Sequence, residues 1–181
     1  MDLREEQVSC EYKFKGRIIK VRLDQARLPD GKIAGREVVE HPGGVTVAAL
    51  TDEGELLFVR QFRYPYMQEL LELPAGKLEP GEDPFEAMKR EQREETGTFA
   101  ETYTYLGEIY PPPGYCGEIL RLWACRISGA CEMDLDEDEF LEVLKIPLEE
   151  AYQMALRGEL PDAKTQIGVL RTYALVKDGK I

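Results

Sequence analysis

Three glutamates near the middle of the chain are the residues best placed to do chemistry. Glu94 and Glu95 follow Glu91 by three and four residues, so on a helix the three carboxylates share one face. Like charges at this spacing destabilise a helix by about 0.2–0.5 kcal/mol per pair, so a nearby positive charge is expected. Oxygen ligands favour hard cations such as Mg²⁺ or Mn²⁺ over zinc. From spacing alone, a metal site and a solvated, ion-paired helix face both remain open.

The residues around these acids predict the helix that presents them. Asp83 is placed to cap its first turn and Pro84 suits the first helical position. Gly97 follows the last acid and is typical of a helix end. We therefore expect a helix over Pro84–Thr96, with the three carboxylates in its second half.

Strand patterns dominate the first part of the chain, and further strands and helices follow the central helix. Apolar and charged residues alternate within Gly16–Leu28, and Pro29–Lys32 predicts a hairpin turn. Further elements are expected at Val45–Thr51, Leu56–Phe62, Thr102–Ile109, Ile119–Ile127 and Phe140–Ile146 (strands), and at Leu148–Arg157 and Ala163 to about Val176 (helices). Strands before and after a central helix, with helices at the end, predict a mixed α/β or α+β architecture.

Composition excludes several classes of partner. The 181 residues suit one domain with a small appendage, and the net charge of −12 disfavours nucleic acid or an anionic membrane. The four cysteines form no Cys-x-x-Cys pair, which is typical of free thiols in a reducing compartment. The acidic start resembles no signal peptide, so a cytoplasmic location is expected. The single histidine, His41, disfavours zinc sites and hydrolase triads and is expected to be structural.

The central stretch resembles the Nudix box, Gly-x5-Glu-x7-Arg-Glu-U-x-Glu-Glu-x-Gly-U, where U is a bulky aliphatic residue. The matching positions are Gly76, Glu82, Arg90, Glu91, Glu94, Glu95 and Gly97. The two aliphatic positions depart from the pattern, because they hold Gln92 and Thr98. Seven fixed positions in register make this resemblance specific.

Other segments resemble the ADP-ribose pyrophosphatase group of that family, and the likeness covers roughly residues 8–176. They are Arg60–Tyr64, Glu72–Gly76, Pro113–Glu118 and Asp136–Phe140. The resemblance implies a Nudix fold of the α/β (α+β) class, a mixed β-sheet sandwiched between helices, with an N-terminal antiparallel β subdomain. We expect that dimerising subdomain at residues 1–42, the hydrolase domain at 43–181, and a homodimer.

The resemblance also implies an activity, Mg²⁺-dependent hydrolysis of ADP-ribose to AMP and ribose 5-phosphate, with Mn²⁺ as an alternative cation. A small-molecule substrate is thus expected, and neither nucleic acid nor membrane. Two alternatives stay open: a pyrophosphatase for other nucleoside diphosphate sugars, and a non-catalytic module that senses a nucleotide. The carboxylate set disfavours the second alternative, because clustered acids cost stability.

Site residues follow from the resemblance by position. Glu91 and Glu95 are expected as the main metal ligands, assisted by Glu94 and by the carbonyl of Ala75. Arg90 is expected to brace the carboxylates.

The water-activating base is expected in the acidic loop, with Glu137 as first choice and Glu139 as second; a solvated loop is the alternative for either residue. Glu118 is expected to contact the terminal ribose, and the other substrate-binding candidates are Arg36 (considered for an intersubunit site), Arg63, Pro113 and Gly114.

Overall fold

The structure is a computed structural model that describes residues 1–137 and 139–181; Asp138, part of the predicted acidic loop, lies outside the described residues. The helices are α1 (Pro84–Thr96), α2 (Leu148–Leu156) and α3 (Ala163–Lys177). The strands are β1 (Glu6–Lys15), β2 (Lys20–Arg27), β3 (Ile33–Glu40), β4 (Gly44–Leu50), β5 (Glu55–Arg63), β6 (Gln68–Glu72), β7 (Ala75–Lys77), β8 (Thr98–Phe99), β9 (Tyr103–Ile109), β10 (Leu120–Arg126), β11 (Gly129–Ala130) and β12 (Leu141–Pro147).

The strands form an N-terminal antiparallel sheet, a larger mixed sheet and a small ribbon. The N-terminal sheet has the order β1-β2-β3. The mixed sheet has the order β12-β5-β4-β10-β9, with β6 paired to β5 and β7 to β4. Strands β4 and β10 are parallel, whereas the other pairs of this sheet are antiparallel. Strands β8 and β11 form the ribbon.

The chain divides into two compact units. One comprises residues 1–43 and 110–119, and the other comprises residues 44–109 and 120–181. The first unit thus includes the loop that joins β9 to β10, which the sequence did not indicate. The domain boundary between residues 42 and 43 stays a prediction.

Strand β4 forms the centre of the second unit, and all seven of its residues are buried. Ala48 and Leu50 pack in one cluster with residues of α2 and α3, while Val45, Val47 and Ala49 pack in another with residues of α1. A strand covered on both faces explains why this segment is continuously apolar. The predicted mixed sheet between helices is confirmed.

Helix α1 begins and ends where the sequence predicts. The Asp83 side chain accepts hydrogen bonds from the N–H groups of Phe85 and Glu86, and Gly97 closes the helix with a φ of 61°. Its left-handed conformation costs little because glycine has no Cβ.

The two departures from the box pattern form a polar cluster inside the protein. Gln92 is fully buried, and its side-chain amide donates to the Thr98 hydroxyl, 3.2 Å away. The Thr98 hydroxyl in turn lies 2.7 Å from that of Thr96. Buried polar groups are tolerated when they bond to one another, so α1 retains its packing without the aliphatic residues.

Some elements differ from the prediction. Strand β1 starts at Glu6, and strands β6 and β7 were not anticipated. The C-terminal helices agree with the predicted ones to within a residue at each end. Within residues 1–137 and 139–181, no helix is both long enough and apolar enough to span a bilayer.

Candidate active site

The carboxylate of Glu91 packs directly against the backbone of Gly76. A Cβ at Gly76 would lie 1.9 Å from the carboxyl carbon and from Oε1 of Glu91. No side chain fits in that space, so glycine is needed where strand β7 passes helix α1. The Glu91 side chain is 12% exposed.

Glu95 lies one turn further along α1 and is 2% exposed. Its Oε2 accepts a hydrogen bond of 2.9 Å from the N–H of Ala75, the first residue of β7. Strand β7 itself is anchored by pairing with β4. The structure thus brings the backbone of Ala75 and the two glutamates together; their role as metal ligands stays a prediction.

Arg90 joins three carboxylates. Its Nε and Nη2 donate to the two oxygens of Glu82 at 2.9 and 3.1 Å. Its Nη1 lies 2.7 Å from Oε2 of Glu94 and 2.9 Å from Oε1 of Glu91. The pKa of Arg90 is raised, first by its bond to Glu82, so this side chain is a permanent cation that orients the acids around it.

Burial and mutual repulsion raise the pKa of both central glutamates. Burial raises the pKa of Glu91 to about 7, helped by the charges of Glu94 and Glu139 and opposed by Arg90. Burial raises the pKa of Glu95 to about 8, helped by Glu91 and Glu139 and opposed by the Ala75 N–H. The anionic forms therefore lack sufficient positive charge within the protein itself.

The donor chemistry of this cluster fits a hard divalent cation. The groups are carboxylate oxygens and a backbone segment, and an added cation would relieve their repulsion. Across the residues described, no three acidic, histidine or cysteine side chains already converge as a metal-binding cluster. Glu91 and Glu94 are bonded to Arg90 instead, so cation binding requires their oxygens to be shared or reoriented.

The two candidates for the base differ in their relation to this cluster. The negative charge of Glu139 contributes to the raised pKa of both Glu91 and Glu95. Its N–H donates to the carbonyl of Asp136 at 2.9 Å. Both Glu137 and Glu139 are exposed. Which of the two acids is the base stays a prediction.

Arg63 is fixed by a buried partner that the sequence did not reveal. Its Nε and Nη2 donate to the two oxygens of Glu72 at 2.6 and 2.8 Å. Burial alone would raise the pKa of Glu72, but the bonds from Arg63 and the charge of Lys164 lower it to about 2. Lys164 lies 92 positions later in the chain, so no local pattern could have paired it with Glu72.

The remaining substrate candidates lie in the first unit. Arg36 donates to Glu5 at 2.8 Å, and together with Pro113 and Gly114 it lines a cavity of about 320 Å³. Glu118 lies 3.5 Å from Nδ1 of His41. That nitrogen accepts the N–H of Gly43, so His41 supports a turn, in agreement with a structural role.

Comparison with known proteins identifies the family. Residues 40–166 match the family described as NUDIX domain, and residues 1–39 match the one described as nucleoside diphosphate sugar hydrolase N-terminal domain. The chain belongs to the Nudix hydrolase family. The resemblance seen in the central stretch is thereby confirmed, and Nudix hydrolases generally use divalent cations.

Three curated relatives share much of the length of this Nudix hydrolase. The ADP-ribose pyrophosphatase of Bacillus subtilis (strain 168) is 40% identical over 169 residues, covering 92% of this chain and 91% of the relative. The methanol dehydrogenase activator of Bacillus methanolicus is 39% identical over 167 residues, covering 91% and 90%. The GDP-mannose pyrophosphatase of Yersinia enterocolitica (serotype O:8 / biotype 1B, strain NCTC 13174 / 8081) is 34% identical over 140 residues, covering 72% and 73%.

A solved structure supports the fold. The crystal structure of an ADP compounds hydrolase superimposes with a TM-score of 0.84 at 20% identity and covers 100% of both chains. At that identity, the likeness concerns the Nudix fold alone. The predicted fold class is therefore confirmed by the whole chain as well as by its box.

Proposed function

We propose that this Nudix hydrolase cleaves the pyrophosphate bond of ADP-ribose, giving AMP and ribose 5-phosphate, with Mg²⁺ or alternatively Mn²⁺ as its cation. The observation that carries the proposal is the pair of buried glutamates, Glu91 and Glu95, held beside Arg90 with too little positive charge around them. The relative named ADP-ribose pyrophosphatase, matched over most of both chains, supports the choice of substrate.

Holding the cation is the role proposed for Glu91 and Glu95, with Glu94 and the carbonyl of Ala75 assisting. When bound there, a divalent cation would neutralise phosphoryl oxygens and polarise the phosphorus atom. Arg90 keeps the carboxylates in place through its bonds to Glu91 and Glu94. This arrangement lets an acidic protein approach an anionic substrate.

Glu139 is the proposed base that accepts the proton of the attacking water, with Glu137 as the alternative. Its negative charge adds to the raised pKa of Glu91 and Glu95, which supports placing the base at this residue. General-base help is worth roughly 10²–10⁴-fold in rate. A carboxylate beside a divalent cation remains ionised at neutral pH, because positive charge favours the anion.

Binding of the substrate is assigned to two arginines and to one loop. Arg63 is proposed to contact the anionic part of the substrate. Its guanidinium is oriented by two hydrogen bonds to Glu72. Arg36 is proposed to do so in the cavity it shares with Pro113 and Gly114; an anion there would compete with Glu5. Glu118 is proposed to bind the terminal ribose.

A homodimer is proposed because the N-terminal sheet exposes apolar side chains. All ten residues of β1 are exposed. The exposed apolar side chains of this sheet include Val8 and Phe14 of β1, Leu23 of β2 and Ile33 of β3. Exposed apolar surface of this kind marks interaction sites. Light scattering at micromolar concentration should give twice the mass of the chain, and a monomer would contradict the proposal and any intersubunit role for Arg36.

Hydrolysis of other nucleoside diphosphate sugars is the second candidate. It is supported by the relative named GDP-mannose pyrophosphatase and by the family matched by residues 1–39. A panel that includes ADP-ribose and GDP-mannose, assayed for phosphate release with a coupled phosphatase, separates the candidates. Preference for ADP-ribose by kcat/KM is expected, with E91Q as the inactive control. Binding of a nucleotide without cleavage of any panel member would instead indicate a sensing module.

A further inference from the structure

A network of four charges, with Glu72 and Lys164 buried at its centre, connects the first turn of α3 to the end of β6. Besides its two bonds from Arg63, the Glu72 carboxylate accepts a hydrogen bond from Nζ of Lys164. Glu72 is 2% exposed and the Lys164 side chain 9%. Lys164 also lies 3.0 Å from Oδ2 of Asp162. Two cations and two anions neutralise one another, which is how charges tolerate burial.

Two further contacts join α3 to Leu73, the residue that follows Glu72. The Thr165 hydroxyl accepts a hydrogen bond of 2.9 Å from the buried N–H of Leu73. At Gly168, a Cβ would come within 2.5 Å of Cδ1 of Leu73, so glycine permits this close packing. Helix α3 therefore contacts two successive residues, Glu72 through Lys164 and Leu73 through Thr165.

Two parts of the proposed site, Ala75 and Arg63, are attached to the segment that α3 holds. Two residues after Leu73, Ala75 supplies the expected carbonyl and bonds to Glu95. The positive charge of Arg63 opposes the rise in the pKa of Glu95. Because Arg63 uses Nε and Nη2 for Glu72, the plane of its guanidinium is set and its Nη1 stays outside this pair.

We propose that Lys164 is a positioning residue. With the support of Thr165, it fixes Glu72 and Leu73, and through them it sets the direction of Arg63 and the position of the Ala75 carbonyl. The inference rests on the proposed function only where it concerns ADP-ribose, since cation binding can be measured without any substrate.

The first test measures Mn²⁺ affinity in the absence of substrate, by the electron paramagnetic resonance of free Mn²⁺. Changes of residues that orient metal ligands typically cost 10–100-fold in metal affinity. We expect K164M to weaken binding about tenfold and K164R to restore it. The control is K177M, because Lys177 lies at the other end of α3 and is 61% exposed; its affinity should equal that of the parent.

The second test separates KM from kcat with ADP-ribose, at a temperature where circular dichroism shows each variant folded. K164M should raise KM about tenfold with a smaller change in kcat, because Arg63 acts on the bound anion. A merely structural ion pair would lower the thermal midpoint of K164M and leave Mn²⁺ affinity and KM at parental values; that result overturns the proposal.

T165V keeps the test decisive if K164M fails to fold. It removes one hydrogen bond at nearly constant volume, and a several-fold loss of Mn²⁺ affinity is expected. Parental Mn²⁺ affinity and KM in folded T165V would overturn the positioning role. Weakened Mn²⁺ binding in K164M, together with no cleavage of ADP-ribose by the parent, would leave the positioning role intact and refute the proposed substrate.

Discussion

Glu72 and Glu95 are equally buried, yet their ionisation is shifted in opposite directions. Both side chains are 2% exposed. The pKa of Glu72 is lowered to about 2, despite burial, because Arg63 and Lys164 contact it. Burial raises the pKa of Glu95 to about 8, and its neighbours Glu91 and Glu139 add negative charge.

The difference shows what burial of an acid means in this protein. A buried carboxylate with internal cations is part of the framework, because its charge is already neutralised. A buried carboxylate surrounded by others requires a cation from outside, or a proton. The two kinds of glutamate therefore distinguish the supporting structure from the site it supports.

The comparison is tested most strongly by neutralising each glutamate in turn. E72Q should lower the free energy of unfolding by about 3–5 kcal/mol, since it removes the anion that neutralises the buried Lys164 and the partly exposed Arg63. Without metal, E95Q should leave the free energy of unfolding unchanged or raise it, because it relieves the repulsion between Glu95 and the acids near it. Urea unfolding of both variants in a chelator measures this. Equal losses in the two variants would mean that burial, rather than counter-charge, decides.

Catalysis should respond in the opposite sense to stability. E91Q and E95Q should each lower kcat for ADP-ribose by at least about 10²-fold at saturating Mg²⁺, because residues that merely support metal ligands already cost 10–100-fold. The coupled phosphatase assay measures the rate, and circular dichroism shows that the fold persists. Near-parental Mg²⁺-dependent rates in both variants would place the metal elsewhere.

The acidic loop offers a further test, because the negative charge of its Glu139 contributes to the raised pKa of Glu95. E139Q should lower kcat about 10²-fold with little effect on KM, in line with loss of a general base. E137Q should cost less, and the double variant should show whether one acid replaces the other. If E137Q loses most of the parental kcat while E139Q retains a third or more of it, the base is Glu137.

Gly76 tests how closely Glu91 must be held. G76A would force the Glu91 carboxylate away from the backbone, because the new Cβ would lie 1.9 Å from it. Displacing a functional group by about 1 Å can cost up to ~10²-fold, so we expect kcat to fall roughly tenfold or more. The matched control is G35A, whose Cβ would meet nothing within 4 Å. Parental activity in G76A would show that Glu91 tolerates movement.

The pH dependence of stability is the smallest expected effect. The folded-state pKa values of Glu91 and Glu95 lie near 7 and 8, above the unfolded value near 4.5. Their contribution is complete below about pH 4.5 and is lost as pH rises to about 8. Each kcal/mol lost over this range would lower the melting temperature by ~2–4 °C.

Mg²⁺ should abolish this loss at pH 8, and E91Q/E95Q should lack it. Glu72 acts with the opposite sign, since its contribution is present above about pH 4.5 and falls as pH drops toward about 2. Melting curves from pH 3 to 9, with chelator or Mg²⁺, measure both trends. An apo melting temperature that rises between pH 5 and 8 in the parent, and equally in the double variant, would contradict the assignment.

Sequence patterns predicted the helix of the box well, because its signals are local. Asp83, Pro84 and Gly97 lie next to the elements they begin or end, and the three glutamates follow from helical spacing. The family resemblance added Ala75 and Glu82, whose bonds to Glu95 and Arg90 the structure shows.

Contacts between distant segments were beyond such patterns. The pairing of Lys164 with Glu72 joins residues of different elements that lie 92 positions apart, and no local pattern links the two. The same holds for the choice between Glu137 and Glu139, which depends on which carboxylate faces Glu95. Buried Gln92 appeared as a departure from the pattern, and only its bond to Thr98 shows how the interior accepts it.

The pairing of β4 with β10 also has a consequence for how the chain acquires its structure. These parallel partners, Gly44–Leu50 and Leu120–Arg126, are far apart in the sequence. The same is true of β5 and its antiparallel partner β12. Non-local pairing slows folding, because long loops must close before the contacts form. Until that pairing forms, the apolar strand β4 lacks its parallel partner and can associate with other chains. Slow refolding and early aggregation are therefore expected when the chain is diluted from denaturant at high concentration.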